Sequence, residues 1–198
     1  MSMKYSFFAL ISRMKNITRW SLMRNSTSEN IQEHSHIVAV IAHALAVIRR
    51  DVFGGTADPG LAATAALFHD SSEIFTGDMP TPIKYYDAEI IEAYKKVESV
   101  AASKLLKALP LELRPSYSKL LTFSDDDDMF AIVKAADKLS AYIKCIEELK
   151  TGNLEFHHAA EQCKEKLLKM DMPEVKYFME NFIPAFQLTL DELDFSFD

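Results

Sequence analysis

The scarcity of glycine and proline most constrains how this chain folds. Its 198 residues include only five glycines and seven prolines. Tight hairpin turns depend on glycine, so this scarcity disfavours a sheet-rich fold with many short strands. Between these residues, apolar side chains recur at helical spacing, and no alternating segment of useful length is present. We therefore predict an all-α fold, a helical bundle with one core in a single domain.

Capping and breaking signals give approximate helix boundaries. Ser26-x-x-Glu29 has the pattern of a capping box, Asp58-Pro59 starts the second helix, and Ser124 caps a later one. The prolines on either side of Thr81 predict a loop, because proline excludes helix at the residue before it. The resulting segments are predicted helices over residues 30–50, 58–75, 87–108, 125–150, 155–170 and 173–190, with a break at Pro184.

Charge and cysteine content limit the partners and the compartment. The net charge is −7, from 29 acids against 22 bases, so we expect no nucleic-acid polymer as a partner. Residues 1–28 carry bases and no acids, which suits a small phosphate ligand or a solvated helix face. The two cysteines, Cys145 and Cys163, form no C-x-x-C pair and indicate a reducing cytoplasm.

A membrane location and a mitochondrial location are the alternatives to a cytoplasmic one. The longest apolar run near His34 covers only residues 37–42, far below the ~18 residues of a membrane span, so we expect no membrane association. The acid-free N-terminus, which contains Arg and Ser, is also similar to a mitochondrial transit peptide.

One histidine of the first long helix faces the predicted core. His34 shares the apolar stripe of Val38 and Ile41, whereas His36 and His43 lie on the opposite side. A single inward histidine is usually a hydrogen-bonded core residue, and that interpretation stays open for His34 on its own.

The next predicted helix adds a histidine and two carboxylates. His69 and Glu73 are four residues apart on the face of Ala62, Ala65 and Ala66, and Asp70 is adjacent. Burying these groups without compensation is costly, and a divalent cation would compensate them. Nitrogen and oxygen ligands suit Mn, Co, Zn or Fe and exclude soft thiolate sites.

Asp137 is a fourth candidate ligand, on a helix face that is otherwise apolar. Together, His34, His69, Asp70 and Asp137 make a stronger pattern than any one of them. A structural metal or a buried ion-pair network is the alternative explanation of this spacing.

These residues resemble the signature of the HD-domain superfamily of metal-dependent phosphohydrolases. The order is His34, then His69-Asp70, then Asp137. The resemblance is closer to the bacterial 5′-deoxynucleotidases of the YfbR type and runs from Phe7 to about Glu192. It rests on the segments Arg19-Trp20, Glu33-His34-Ser35, His69-Asp70-x-x-Glu73 and Thr76-Gly77-Asp78-x-Pro80-Thr81-Pro82.

The resemblance implies a single HD domain over residues 1–198, with a metal-site core at about 28–150 and C-terminal helices 153–192 packed on it. It implies a cytoplasmic homodimer that hydrolyses deoxyribonucleoside 5′-monophosphates to deoxyribonucleoside and phosphate. It also argues against the transit-peptide interpretation, because Arg19-Trp20 belongs to the mature enzyme in this family.

The resemblance also assigns roles to individual residues. One divalent ion per subunit (Co, Mn, Mg, Zn or Fe) would be held by His34, His69, Asp70 and Asp137. Catalysis would use Arg19 to orient the phosphate, with Glu73 and Asp78 handling water and protons. The implied substrate contacts are Arg19, Trp20, His34, Asp70, Asp78, Met79, Pro80, Thr81 and Asp137.

Two alternatives come from different functional classes. Another HD hydrolase would act on a nucleoside triphosphate or a cyclic nucleotide, and the former needs further basic residues at the site. A nucleotide-binding HD protein without turnover would have no use for Glu73 and Asp78 as proton-handling groups.

Overall fold

A computed structural model describes residues 5–84, 86–122 and 128–193. Among these residues the regular structure is helical, apart from one isolated antiparallel bridge between Thr18 and Asn30. The α-helices are α1 (Phe7–Ile11), α2 (Ile31–Val47), α3 (Pro59–Phe68), α4 (Glu73–Thr76), α5 (Thr81–Lys84), α6 (Ala88–Lys107), α7 (Arg114–Leu121), α8 (Asp128–Lys150), α9 (His157–Leu168) and α10 (Pro173–Asn181). The all-α prediction is confirmed.

Short helical turns extend or connect these helices. A π-helical turn, Ile48–Val52, continues α2. The 3-10 turns are Ser12–Asn16, Leu111–Leu113, Leu154–Phe156, Ile183–Gln187 and Leu190–Glu192. Pro184 lies in the turn that follows α10, where the sequence predicts a break.

The main core lies between α2, α3 and α8. Leu45 of α2 and Leu139 of α8 are fully buried in it. The buried alanines 62, 65 and 66 of α3 let neighbouring helices approach closely, because they have no bulky side chain. Two smaller apolar clusters lie beside this core, one around Phe7 and Leu105 and one around Phe156. The structure therefore has one main core and two satellites, rather than the single core that the sequence predicts.

The helix that starts at Asp58 ends earlier than the sequence predicts. The Asp58 side chain accepts from the Leu61 N–H and caps α3, as expected, but α3 ends at Phe68 instead of about residue 75. From there the backbone makes i→i−3 hydrogen bonds, such as Ser71 N–H to Phe68 O at 3.0 Å and Glu73 N–H to Asp70 O at 3.0 Å. This tightened turn separates α3 from α4, so His69 and Glu73 do not share one continuous α-helix.

The predicted capping box at the start of α2 is also wrong. Asn30 is the N-cap, and its side chain accepts from the Glu33 N–H at 3.0 Å. The Glu33 carboxylate accepts in return from the Asn30 N–H at 3.2 Å. Ser26 and Glu29 bond to other residues. The cap is formed instead by Asn30 and Glu33, which have the same spacing four residues further along the chain. The Ser124 cap predicted for α8 lies outside the described residues.

One segment is long and apolar enough to cross a membrane by length and composition alone. It is Ile31–Val52, which comprises α2 and its π-helical turn, and 56% of its most apolar window is buried inside the fold. Such burial is typical of the central helix of a globular domain, and α2 packs against α3 and α8 here.

Candidate active site

The four candidate metal ligands converge where α2, the end of α3 and α8 meet. His34 Nε2 lies 3.1 Å from Asp137 Oδ1 and 3.5 Å from Asp70 Oδ2. His69 Nε2 lies 3.1 Å from the same Asp70 oxygen. Ligand atoms of His34, His69 and Asp70 all lie within 4.8 Å of one another. The expected inward orientation of His34 is confirmed, since it is fully buried while His36 and His43 are exposed.

Neighbouring groups orient the two imidazoles. His69 Nδ1 lies 2.7 Å from the Ala66 carbonyl, which can only accept, so Nδ1 carries the hydrogen. In the neutral ring, this leaves the Nε2 lone pair directed at the cluster. His34 Nδ1 lies 3.1 Å from Ser140 Oγ, which places its Nε2 on the cluster side in the same way.

The donor set of this cluster fits a divalent cation. His69 Nε2 is buried, and its contact with Asp70 lacks hydrogen-bond geometry, so it has no hydrogen-bond partner among the described residues. Glu73 Oε2 is also buried and has no hydrogen-bond partner among them. Burying an unpaired polar atom usually costs about 1–3 kcal/mol. Two imidazole nitrogens beside two carboxylates are ligands that borderline and hard divalent metals accept.

Arg19 and Trp20 lie on an irregular loop that Glu29 holds in place. Glu29 Oε2 accepts from Arg19 Nη1 at 2.9 Å and from Trp20 Nε1 at 3.1 Å. Trp20 has a φ of +57°, a conformation that costs a non-glycine residue about 1–3 kcal/mol. The indole also packs on Phe156 at 5.3 Å between ring centroids. Glu29 is a residue that the sequence motif did not single out as part of the site.

A second buried carboxylate, Glu148 of α8, anchors the same loop. It accepts from the backbone N–H groups of Ser26 and Thr27 at 2.8 and 3.2 Å, and from Asn153 Nδ2 at 2.8 Å. It also pairs with the buried ammonium group of Lys144. Burial would raise the pKa of Glu148, but these donors, Lys144 foremost, lower it to about 2. The only sequence signal for this anchor is the i, i+4 spacing of Lys144 and Glu148.

The loop after α4 places Asp78 beside Trp20. Asp78 Oδ2 accepts from the Trp20 N–H at 3.2 Å. Gly77 has a φ of +72°, so the turn that presents Asp78 favours glycine at this position. Met79 and Pro80 follow and line the same cavity. Thr81 begins α5, so the loop predicted around it is wrong at this residue, since Pro82 lies in the first helical turn, where no backbone N–H is needed. The side chain of Thr81 lies outside what the structure describes.

Burial shifts the pKa values of the two acids next to the cluster. Burial, followed by the negative charges of Asp70 and Asp78, raises the pKa of Glu73 to about 10. Burial also raises the pKa of Asp78, although the charge of Arg19 opposes the shift. Burial and the charge of Arg19 lower the pKa of His34, which favours the neutral imidazole that metal coordination requires.

A cavity of about 520 Å³ opens onto this cluster. Its wall includes Arg19, Trp20, Asp70, Glu73, Asp78, Met79, Pro80 and Asp137, so the structure brings most of the predicted site residues together. His34 and His69 lie behind the wall, in contact with Asp70 and Asp137. A volume of this size is typical of small-molecule sites.

No sequence motif predicted the opposite wall of the cavity. It is formed by α9, with His158, Gln162 and Lys166 exposed along one side. Lys84 and Lys138 also line the cavity, and Lys84 is held by Glu98 at 3.0 Å. Helical spacing places His158, Gln162 and Lys166 on one face of α9, but only the tertiary fold directs that face at the cluster.

Residues 6–186 match the model of the family described as 5′-deoxynucleotidase YfbR-like. The chain belongs to this family. YfbR-like 5′-deoxynucleotidases are hydrolases of phosphoric monoesters. A 5′-deoxynucleotidase of Vibrio cholerae is 50% identical over 94% of this chain and 97% of the relative. One from Erwinia tasmaniensis is 49% identical over 94% of this chain and 95% of the relative.

Solved structures place this YfbR-like chain in the HD-domain fold. An HD-domain phosphohydrolase from Listeria innocua superposes with a TM-score of 0.80 at 26% identity, over 91% of this chain and 88% of that one. The HD phosphohydrolase DatZ of cyanophage S-2L superposes with a TM-score of 0.61 at 21% identity, over 92% and 99%. DatZ was solved bound to dA and one catalytic Zn²⁺ ion, and at this identity it shows the fold.

Proposed function

We propose that this chain hydrolyses deoxyribonucleoside 5′-monophosphates to the deoxyribonucleoside and inorganic phosphate. The observation that carries the proposal is the His34–His69–Asp70–Asp137 cluster at one cavity with Arg19, in a YfbR-like family member. The curated relatives at about 50% identity are named 5′-deoxynucleotidases, which supports the same substrate class.

His34, His69, Asp70 and Asp137 would hold one divalent ion per subunit. When bound, the ion would supply positive charge for the phosphoryl oxygens and would lower the pKa of a water molecule. The buried Nε2 of His69, which makes no hydrogen bond among the described residues, supports this assignment. The catalytic Zn²⁺ of DatZ shows that an HD protein of this fold uses such an ion, and Co, Mn, Mg and Fe suit the ligand set as well.

Arg19 and Trp20 would bind the two ends of the phosphate–sugar unit. The Arg19 guanidinium would pair with phosphate oxygens, for which its planar fork is well suited. The Trp20 ring would lie against the sugar, where a flat apolar wall favours hydrogen over hydroxyl at C2′. A hydrophobic contact alone rejects an added hydroxyl by only ~10²-fold, so close steric fit must contribute to strict deoxy selectivity.

Glu73 and Asp78 would handle the protons. Glu73 would orient the attacking water and accept its proton, since its Oε2 is unpartnered among the described residues. The negative charges of Asp70 and Asp78 raise the pKa of Glu73, and a bound cation would oppose this rise and favour the ionised Glu73 carboxylate. Asp78, whose pKa is raised by burial, would hold a proton for the departing 5′-oxygen.

Phosphate release from a nucleotide panel tests the proposal. The metal-stripped protein is assayed with deoxyribonucleoside and ribonucleoside 5′-monophosphates, with Mn, Co, Mg, Zn or no metal added. We expect release from deoxy substrates, restored by metal and lost in Glu73→Ala. Glu89→Ala, at an exposed position of α6, is the matched control and should retain activity. No release from any monophosphate by metal-loaded protein would contradict the proposal.

The leaving-group role of Asp78 has its own test. Asp78→Asn should lower the hydrolysis rate of a deoxynucleotide far more than that of p-nitrophenyl phosphate, whose leaving group departs without a proton. Equal losses on both substrates would assign Asp78 to binding instead.

One observation favours a second candidate function, hydrolysis of a deoxyribonucleoside triphosphate. Lys84, Lys138 and Lys166 all line the cavity and could bind further phosphates. The panel therefore includes triphosphates. A kcat/KM higher for a triphosphate than for its monophosphate would favour this alternative, and the names of the close relatives favour the monophosphate.

We further propose that the enzyme is a cytoplasmic homodimer and that residues 1–198 form one HD unit. The packing of α9 and the 3-10 turn Ile183–Gln187 on α8 supports a single unit, in which residues 153–192 are attached to the 28–150 core. Light scattering of the purified chain tests the dimer, and limited proteolysis tests the single unit.

A further inference from the structure

Two cysteines meet between α8 and α9, behind the α9 wall of the cavity. Cys145 of α8 is fully buried in the apolar cluster with Phe156 and Ala160. Cys163 of α9 is half-buried and lines the cavity. Ala160 lies three residues before Cys163 on α9, so Cys163 is on the helix face that packs against Cys145. A thiol that lines the cavity therefore lies near one that does not.

The surroundings of Cys163 favour its thiolate. Lys138 of α8 and Lys166 of α9 both line this cavity, and positive charge stabilises a thiolate. The neighbouring Cys145 thiol, followed by the charges of these two lysines, lowers the pKa of Cys163 to about 7. Burial and the charge of Asp137 oppose this shift, and Tyr142 is a further titratable group near both sulfurs.

We propose that Cys163 is a peroxide-modification site in the cavity wall and that Cys145 resolves it to a disulfide between α8 and α9. A low-pKa, accessible thiol next to a second thiol is the arrangement that redox-sensitive cysteines use. The proposal does not depend on which phosphate ester the enzyme cleaves, because it concerns the chemistry of two side chains outside the proposed catalytic set.

The chemistry balances with hydrogen peroxide as the oxidant. The Cys163 thiolate attacks one peroxide oxygen, an S–O bond forms and the O–O bond breaks. The sulfur is oxidised to the sulfenic acid, and the departing hydroxide takes up a proton to become water. The Cys145 sulfur then attacks Cys163, the S–S bond forms, and the hydroxyl leaves as water with the Cys145 proton. The sum is two thiols and one peroxide giving one disulfide and two waters.

Closing this disulfide would alter the cavity. The bond draws the Cys163 sulfur from the wall toward Cys145, on the helix that also carries Asp137 and Lys138. We therefore expect oxidation to lower the hydrolysis rate and a thiol reductant to restore it.

Mass spectrometry after peroxide treatment tests the modification directly. The full chain and the variants Cys145→Ala and Cys163→Ser are treated with hydrogen peroxide and dimedone, a reagent that traps sulfenic acids. Circular dichroism first confirms that each variant is folded. We expect a linked Cys145–Cys163 peptide in the unmodified sequence, a dimedone adduct on Cys163 in Cys145→Ala, and no adduct in Cys163→Ser.

The opposite pattern would overturn the proposal. It fails if the folded chain gives no linked peptide, or if Cys145 is trapped in Cys163→Ser. Phosphate release is measured on the same samples, each against its own untreated rate. A fully linked chain that hydrolyses substrate at the untreated rate would overturn the predicted effect on the cavity. The peptide masses report on the cysteines alone. A protein that fails to hydrolyse deoxynucleotides can therefore still confirm or contradict the cysteine proposal.

Discussion

The two sides of the cavity are built in different ways. On the cluster side, His34 and Asp137 project from the core helices α2 and α8, and Asp70 lies in the tightened turn that follows α3. On the loop side, Arg19 and Trp20 lie on an irregular segment whose conformation is fixed by hydrogen bonds to Glu29 and Glu148. Apolar helix packing positions the first set, whereas buried carboxylates position the second. The two sides should therefore fail independently, and substitutions on each side test this.

The largest effect should follow from removing a charge on the cluster side. Asp70→Asn weakens the ligand set, and we expect kcat/KM to fall by about 10³-fold, which corresponds to about 4 kcal/mol. Metal content measured by elemental analysis should fall with it, while Trp20 fluorescence stays unchanged. Asp171→Asn, at an exposed aspartate, is the control. Full metal content in an inactive Asp70→Asn would contradict the assignment of Asp70 as a ligand.

The next effect should follow from removing the anchor of the loop side. Glu148→Ala leaves the Lys144 ammonium buried without its carboxylate, which should cost about 3 kcal/mol of unfolding free energy. Urea denaturation measures this loss. Metal content should remain unchanged in the folded protein, and loss of the metal here would show that the two sides are coupled.

The same carboxylate predicts a pH dependence of stability. The pKa of Glu148 is about 2 in the folded protein, below its ordinary value of 4.5. A folded pKa below the unfolded value stabilises the fold above the unfolded pKa, and the contribution is lost as pH falls through the folded pKa. The stability difference between the unmodified chain and Glu148→Gln should therefore shrink between about pH 4.5 and pH 2. A difference that stays constant across this window would contradict the role of Glu148 as an ionised anchor.

A smaller effect is expected at Glu29. Glu29→Ala removes the shared partner of Arg19 and Trp20, and we expect kcat/KM for a deoxynucleotide to fall by about tenfold. Trp20 is the only tryptophan in the chain, so its fluorescence emission reports on the loop directly. The emission should shift to longer wavelength while metal content stays constant. An unchanged spectrum would show that Phe156 packing alone holds the indole.

The smallest effect concerns the α9 wall. Lys166→Gln removes an exposed charge from the cavity, and we expect a two- to five-fold rise in KM for a triphosphate, since exposed charges contribute about 1 kcal/mol or less. The KM for a monophosphate should change less. Equal changes for both substrates would place Lys166 near the single phosphate of the monophosphate.

The amino-acid sequence by itself determined the fold class and the cluster side. Scarce glycine, helical periodicity and the small-residue face of α3 predict helices. The His34, His69-Asp70 and Asp137 pattern indicates the HD superfamily, and Arg19-Trp20 with the loop that contains Asp78 indicates the family. These features are local or are repeated at helical spacing, and motif residues on core helices follow from the pattern of burial. The apolar stripe of α2 thus predicted that His34 points inward, and His34 is fully buried in the structure.

Only the tertiary structure decided the loop side and the opposite wall. The contacts of Glu29 with Arg19 and of Glu148 with Ser26 join residues 10 and 122 positions apart in the chain. No spacing rule relates such pairs, because their meeting depends on how the helices pack. The spacing of apolar residues in the sequence predicts which face of a helix is buried. The packing of the helices determines which residues that face contacts.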